Sequence, residues 1–129
     1  MRILYPIVFA LLLAGCGHDS TTAPSATVTD TFASVLSVRG SSAREFILLK
    51  AGTVTVSIDA MNPVYVVGLG LGSPDATKAG CSTTMTIETA GGTTDELSTT
   101  LNPGTYCVKV YDVGNLTQAT SFTISIVHP

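Results

Sequence analysis

Few side chains in this chain could take part in chemistry. The sequence holds three cysteines, two histidines and nine acidic residues among 129 residues. His18 precedes the expected domain and His128 lies beside the C-terminus. Neither histidine falls in a segment whose pattern predicts strands that would position a catalytic site around it. Nucleophilic catalysis needs a base that an acid orients beside a nucleophile, and no Gly-x-Ser-x-Gly, His-Glu-x-x-His or phosphate-binding loop is found. The sequence therefore predicts that the protein is not an enzyme.

The acidic residues offer one candidate metal site. Asp95 and Glu96 are adjacent, in or near a turn, and could bind calcium together with loop carbonyls, since calcium prefers oxygen ligands. No EF-hand-like spacing accompanies them, and the other turn acids, such as Asp59, Asp75 and Asp112, are expected to be solvated. Calcium is the one cofactor that the sequence leaves open.

The first cysteine ends an apolar segment. Arg2 precedes the apolar residues 3–13, which are too few to cross a bilayer as a helix and are typical of a signal peptide. Leu13-Ala14-Gly15-Cys16 resembles the lipobox of bacterial lipoproteins. The resemblance implies cleavage before Cys16, diacylation of its sulfur and a lipid bilayer as partner, since two acyl chains hold a protein stably. Gly17, the residue after the cysteine, resembles the pattern of lipoproteins that are sorted to the outer membrane, so the outer membrane is the expected location if the host is Gram-negative. An ordinary secretory signal with a chance cysteine is the alternative.

Once Cys16 is assigned to the lipid, two cysteines remain, Cys81 and Cys107. Disulfides persist in the oxidising compartments to which such chains are exported, and these two cysteines are predicted to form one. With a sequence separation of 26, chain-entropy arguments give the bond about 3.5 kcal/mol of stabilisation at most. A zinc site is disfavoured, because there is no Cys-x-x-Cys and no histidine nearby.

Composition is typical of one small exported domain. Hydrophobic residues make up 45% of the chain and charged residues 12%, with a formal net charge of −3, so disorder is not expected. These values exclude a transmembrane bundle, a large multi-domain enzyme and a basic protein that binds nucleic acid. We predict a lipoprotein signal peptide over residues 1–15, a lipidated cysteine and flexible tether over 16–30, and a domain over 31–129.

The domain has the pattern of strands. Thr53 to Asp59 alternates strictly, which is typical of a half-buried strand. Ala43 to Lys50 contains the continuously apolar residues 46–49 and is predicted to be a strand covered on both faces. Val64 to Leu71 is predicted to be a strongly apolar strand in which Gly68 and Gly70 allow a close backbone approach or a bulge. About eight such short strands indicate an all-β fold, either an antiparallel sandwich or a barrel, and we predict a β-sandwich that is jelly-roll or Greek-key-like.

Two segments carry a family resemblance. Residues 101–110, Leu-Asn-Pro-Gly-Thr-Tyr-Cys-Val-Lys-Val, are similar to the penultimate strand of bacterial pre-peptidase C-terminal domains. Residues 45–56 are similar to the strand, Ala-Gly turn and strand near the start of those domains. The resemblance covers residues 31–129 and implies a noncatalytic β-sandwich. Such domains usually accompany a secreted protease, which is not expected before this one, and some related modules bind calcium or collagen.

One aromatic residue is the best candidate for a ligand contact. Tyr111 is expected on the strand face opposite Tyr106, where an exposed ring could stack on a sugar. The sequence predicts an extracytoplasmic, membrane-anchored cell-envelope lipoprotein whose β-sandwich binds an envelope protein or a glycan without catalysis, and no nucleic-acid partner is expected. A carbohydrate- or calcium-binding accessory module is the first alternative, and a small secreted enzyme or enzyme inhibitor is the second.

Overall fold

The described part of the chain folds into β-strands and connections. A computed structural model describes residues 15, 17, 26–76, 80–92 and 96–129, with Glu96 described by its backbone alone. None of these residues lies in a helix, and so this part has no helix long and apolar enough to span a membrane. Eight strands are found, as predicted: β1 (Val28–Leu36), β2 (Ser41–Leu48), β3 (Gly52–Asn62), β4 (Val67–Pro74), β5 (Cys81–Thr89), β6 (Glu96–Leu101), β7 (Gly104–Tyr111) and β8 (Thr120–His128).

The strands form two four-stranded antiparallel sheets that pack face to face. Sheet I has the order β1-β8-β3-β6, and sheet II has the order β2-β7-β4-β5. The first strand pairs with the last, the second with the seventh, the third with the sixth and the fourth with the fifth. This nested pairing is the jelly-roll arrangement of a two-sheet sandwich. The predicted antiparallel β-sandwich is confirmed.

The core lies between the sheets and follows from strand alternation. Val54, Val56 and Ile58 of β3 are completely buried, while the Thr and Ser residues between them lie on the outer face of sheet I. Each apolar side chain removed from water in this way contributes about 1.5–3 kcal/mol. The other strands supply the rest of the core in the same way, at Phe32, Leu36, Phe46, Leu48, Val67, Leu69, Leu71, Leu97, Val108, Val110, Phe122, Ile124 and Ile126.

The outer face of β4 consists of glycines. Along this strand the apolar residues enter the core, and the alternate positions are Gly68, Gly70 and Gly72. The ring of Tyr111 covers Gly68, where a Cβ would lie 2.5 Å from the Tyr111 Cε1. The glycines thus allow groups of the neighbouring strands to lie directly against the β4 backbone.

The predicted disulfide between Cys81 and Cys107 is present and joins β5 to β7 across β4. The two Cα atoms are 5.8 Å apart, whereas strands on either side of a common neighbour lie about 9–10 Å apart. The distance is short because β5 begins by crossing the outer face of β4 at Gly72, where the Ser82 carbonyl takes the space of a side chain. A β-bulge between Leu71 and Gly72 accompanies the crossing.

The structure corrects three expectations. β1 begins at Val28, three residues before the predicted start of the domain. β2 is not covered on both faces, because the sandwich has only two layers and the outer face of sheet II meets solvent; Ile47 is 62% exposed and Leu49, just beyond the strand, 81%. β4 spans residues 67–74 instead of 64–71, since the backbone stays paired through the bulge.

The two ends of the sandwich are termed its poles. Val28 pairs with His128, and Gly52 pairs with Leu101, so the chain enters and leaves the strands at the same end. This proximal pole also carries the β2–β3, β4–β5 and β6–β7 connections. The distal pole carries the β1–β2, β3–β4, β5–β6 and β7–β8 connections.

Candidate interaction surface

Three connections meet at the distal pole. They are residues 37–40, 63–66 and 112–119, and together they are termed the distal loop surface. Each connection joins a strand of one sheet to a strand of the other, so all three cross the end of the core. Hydrogen bonds between the connections hold them in one arrangement.

Asp112 binds the first connection to the third. One of its carboxylate oxygens accepts the backbone N–H of Arg39 at 2.8 Å, and the other accepts the N–H groups of residues 114–116 at 2.8–3.2 Å. The backbone N–H of Asp112 in turn donates to the Gly40 carbonyl at 3.0 Å. The amide donors, foremost that of Arg39, hold the pKa of the Asp112 carboxyl below its ordinary value, because they stabilise the charged form.

Side chains bind the second connection to the third. The Asn115 Nδ2 donates to the Val66 carbonyl at 3.0 Å, and the hydroxyls of Tyr65 and Thr117 are hydrogen-bonded at 2.9 Å. Below them, the buried Thr120 hydroxyl donates to a carbonyl of the β3–β4 connection at 2.6 Å. Loops restrained in this way lose less conformational freedom when they bind a partner.

A group of exposed apolar side chains lies on this pole. In the described part of the chain eight large apolar side chains are exposed, and Val35, Val38, Val64 and Val66 lie on the distal loop surface or beside it. Single exposed apolar residues are common on proteins, whereas a group of them points to an interaction surface. The arrangement can therefore bury apolar area against a partner.

A second candidate site is a cleft between the free edges of the two sheets, at β5 and β6. The Tyr106 hydroxyl donates to the Asn102 carbonyl at 2.6 Å and so fixes the β6–β7 turn beside the cleft, as in a tyrosine corner. The cleft has a volume of about 240 Å³, below the usual size of about 300–1,000 Å³ for small-molecule sites. Its apolar lining consists of Leu71, Met85, Leu101 and Tyr106.

His128 lies in a strand and has a partner, which sequence reasoning missed. It is the last residue of β8, it is buried, and its Nε2 lies 2.9 Å from Oδ2 of Asp30. Its ring packs beside Phe46, with 5.6 Å between the ring centres. One sequence signal pointed to a buried position: His128 continues the every-second-residue apolar series of residues 122–126, and all of these positions are buried. The pair joins the first strand to the last at the proximal pole.

The remaining predicted site residues are not brought together. Tyr111 is half-buried on the outer face of sheet II, between the β4 backbone and Lys109, whose Nζ is 5.5 Å from the ring centre. Cys16 and Asp95 lie outside the described residues, and only the backbone of Glu96, the first residue of β6, is described. Among the described residues there is no group of three or more metal-ligating side chains. Lipidation, calcium binding and sugar stacking stay predictions.

Comparison with known proteins finds similarity of fold alone. The structure is similar to PliG of Aeromonas hydrophila, a periplasmic inhibitor of g-type lysozyme, with a TM-score of 0.52 and 13% identity over 76% of this chain and 85% of that one. A chain from the disulfide-linked pili that form Bacillus endospore appendages aligns with a TM-score of 0.32 and 14% identity over 79% of this chain and 87% of that one. No family model and no curated protein matches the chain.

Proposed function

We propose that the chain is an extracytoplasmic lipoprotein, anchored through acylated Cys16, whose jelly-roll domain binds an envelope partner without catalysis. The observation that carries the proposal is the disulfide between Cys81 and Cys107. Structural disulfides persist in oxidising compartments outside the cytoplasm, and this bond accounts for two of the three cysteines. The third belongs to the Leu13-Ala14-Gly15-Cys16 motif, and lipid attachment as a thioether needs a free thiol there.

The distal loop surface supports the binding role because of where the anchor enters. The chain reaches the strands at Val28, on the proximal pole. A segment running from Cys16 to Val28 reaches about 40 Å at most, and strands of eight or nine residues add about 26–30 Å. The distal loop surface is thus the end of the domain farthest from the attachment point. An envelope protein that exposes an apolar surface fits this position.

Mass spectrometry of the N-terminal peptide tests the anchor. Protein isolated from membranes is expected to begin at Cys16 and to carry acyl chains on its sulfur, because two chains give stable anchoring. Cys16→Ser is expected to lose the acyl chains and to leave the domain folded. An unmodified wild-type peptide would rule out the anchor while leaving the disulfide and the distal loop surface in place.

Photo-crosslinking in the native host tests the binding surface. A photoreactive amino acid in place of Val64 is expected to capture one discrete envelope protein. The same amino acid in place of Thr100, exposed on the outer face of β6, is the matched control and is expected to capture none. Val38→Asp is expected to reduce capture at position 64, since burying a charge opposes association. Equal capture at positions 64 and 100 would show that the distal loop surface is not the binding site.

A second candidate function is inhibition of an enzyme by the distal loop surface. It is favoured by the hydrogen bonds that hold three loops with apolar side chains in one arrangement, and by the fold shared with the lysozyme inhibitor. Turnover of g-type lysozyme with added domain tests it, with Val64→Asp and Thr100→Asp as a matched pair. Inhibition that Val64→Asp alone relieves supports this function. Full lysozyme activity in excess domain would exclude that enzyme as the target.

A further inference from the structure

We propose that the proximal pole rests on the bilayer surface and places Leu49 among the lipid headgroups. The inference rests on the proposed lipid anchor and adds a defined orientation of the domain to it. Three of the eight large apolar side chains exposed in the described part of the chain lie at this pole. They are Val28, Ile47 and Leu49, and they lie at the end of the domain where the anchored segment enters.

Leu49 is the most exposed of the eight, at 81%. It follows the buried Leu48 at the end of β2, and the exposed Lys50 and Ala51 complete the turn into β3. Ile47 lies two positions earlier, near the end of β2, and is 62% exposed. A leucine beside a lysine suits the membrane interface, because the leucine enters the apolar boundary while the ammonium stays with the polar headgroups.

The anchor allows this small contact to orient the domain. A domain held within about 40 Å of the bilayer meets the surface at a high effective concentration. Three apolar side chains, too few to recruit a free domain, are then enough to favour one orientation. Lys50 favours an anionic surface, whereas Asp75, on the β4–β5 connection, and the half-exposed Asp30 of the same pole oppose it. Apolar contact is thus expected to dominate, with a weak dependence on salt.

The bilayer is a better occupant of this pole than a second copy of the chain. The segment that leads to Cys16 enters at Val28, beside the exposed side chains, so the anchor itself brings the bilayer within their reach. A second copy gains no such advantage at this pole, since each copy carries its own anchor there. The distal pole has exposed valines as well, and it supplies the matched control.

Fluorescence in vesicles tests the orientation. The chain contains no tryptophan, so Leu49→Trp and Val64→Trp each introduce a single probe, one at either pole. Both variants are reconstituted as lipidated proteins in phosphatidylcholine vesicles with brominated acyl chains. Quenching of Leu49→Trp is expected to be about twofold or more stronger than that of Val64→Trp, because a side chain docked at the interface lies about 5–10 Å deep.

A second preparation separates this proposal from the anchor. The chain from residue 17 onward, with a hexahistidine tag in place of Cys16, is bound to nickel-chelating lipids in the same vesicles, which holds the domain whatever the native cysteine carries. Stronger quenching at position 49 on nickel lipids supports docking even if the native chain has no lipid. Equal quenching at positions 49 and 64 overturns docking even if it has one. A blue shift of Leu49→Trp without vesicles, with a larger hydrodynamic size, would assign the pole to a second copy and would also overturn it.

Hydrogen exchange provides the same test without tryptophan. On nickel-lipid vesicles the amides of residues 49–52 are expected to exchange several-fold more slowly than in solution. Leu49→Ser is expected to abolish this slowing, and Val64→Ser is expected to retain it. Slowing that survives Leu49→Ser would contradict the role given to that side chain.

Discussion

Replacing Gly72 by alanine tests how the disulfide shapes sheet II. A Cβ at this position would lie 2.7 Å from the Ser82 carbonyl carbon and from the Thr83 Cα, and closer still to the Ser82 oxygen. Since ordinary contacts of a Cβ begin near 3.4 Å, the first residues of β5 would have to move outward by about 1 Å in a well-packed sheet. The obstructing atoms belong to the backbone, so no change of rotamer can relieve the overlap.

The disulfide decides how much this substitution destabilises the fold. In the oxidised protein the bond holds the start of β5 against β4, and Gly72→Ala is expected to lower the free energy of unfolding by about 3 kcal/mol, at the upper end for overpacking. With Cys81→Ala and Cys107→Ala the strand can move away, and the expected loss from Gly72→Ala is about 1 kcal/mol. The coupling of about 2 kcal/mol is within the range that double-mutant cycles resolve.

Urea unfolding, followed by circular dichroism, gives the four free energies of this cycle. Gly104→Ala is the matched control, because the nearest atoms to its Cβ are 3.6 Å away, and it is expected to change the stability by less than about 0.5 kcal/mol. Equal losses from Gly72→Ala with and without the disulfide would refute the reasoning, since the bond would then not hold β5 in place. If Gly72→Ala left the free energy of unfolding of the oxidised protein unchanged, β5 would not cross the outer face of β4 at Gly72.

Three further substitutions test the loops and two aromatic residues. The carboxylate of Asp112 stabilises the fold above its ordinary pKa of 3.8, and this contribution is lost as the pH falls through the lower pKa of the folded state. Asp112→Asn is therefore expected to make stability less sensitive to acid, and an unchanged acid dependence in unfolding experiments would contradict this. Gly68→Ala is expected to destabilise the wild type by about 1 kcal/mol but to stabilise a Tyr111→Ala variant, since alanine is favoured over glycine within a strand; the same sign in both backgrounds would show that the ring does not limit this position. Tyr106→Phe removes a hydrogen bond, and a loss of about 1 kcal/mol in urea unfolding is expected, whereas equal stability would mean that the bond is not needed.

Local patterns were enough to locate the strands and most of the core. The buried face of residues 53–59 follows from the alternation of neighbours, which needs no knowledge of the rest of the fold. The same patterns do not show whether both faces of a continuously apolar strand are covered. Ile47 and Leu49 were therefore expected to be covered, and the topology leaves them in solvent. The strand was predicted to end at Leu71, because the residues that follow do not show that pairing continues beyond the bulge between Leu71 and Gly72.

The candidate surface depends on contacts between residues that are far apart in sequence. Asp112 was recognised as a turn residue, but the amide that it binds in Arg39 lies 73 positions away. At the other pole, His128 and Asp30 are separated by 98 positions. The alternation of residues 122–126 signals that His128 faces inward, but the partner of neither residue can be read from a short window of sequence, since each pair forms only after the first and last thirds of the chain have come together. The disulfide was predicted because cysteines are few and their chemistry is specific.

The pairing of the first strand with the last determines how the domain responds to force. β1 is aligned with β8 over nine residue pairs, from Val28 opposite His128 to Leu36 opposite Thr120. The hydrogen bonds of an antiparallel pair lie perpendicular to the strands. A domain held at Val28 and loaded at its distal loops is pulled along the strand axis, so the nine pairs bear the load together and cannot open one after another. In that geometry β1 resists shear, and the pull would have to break β1 from β8 along its whole length before the core is exposed.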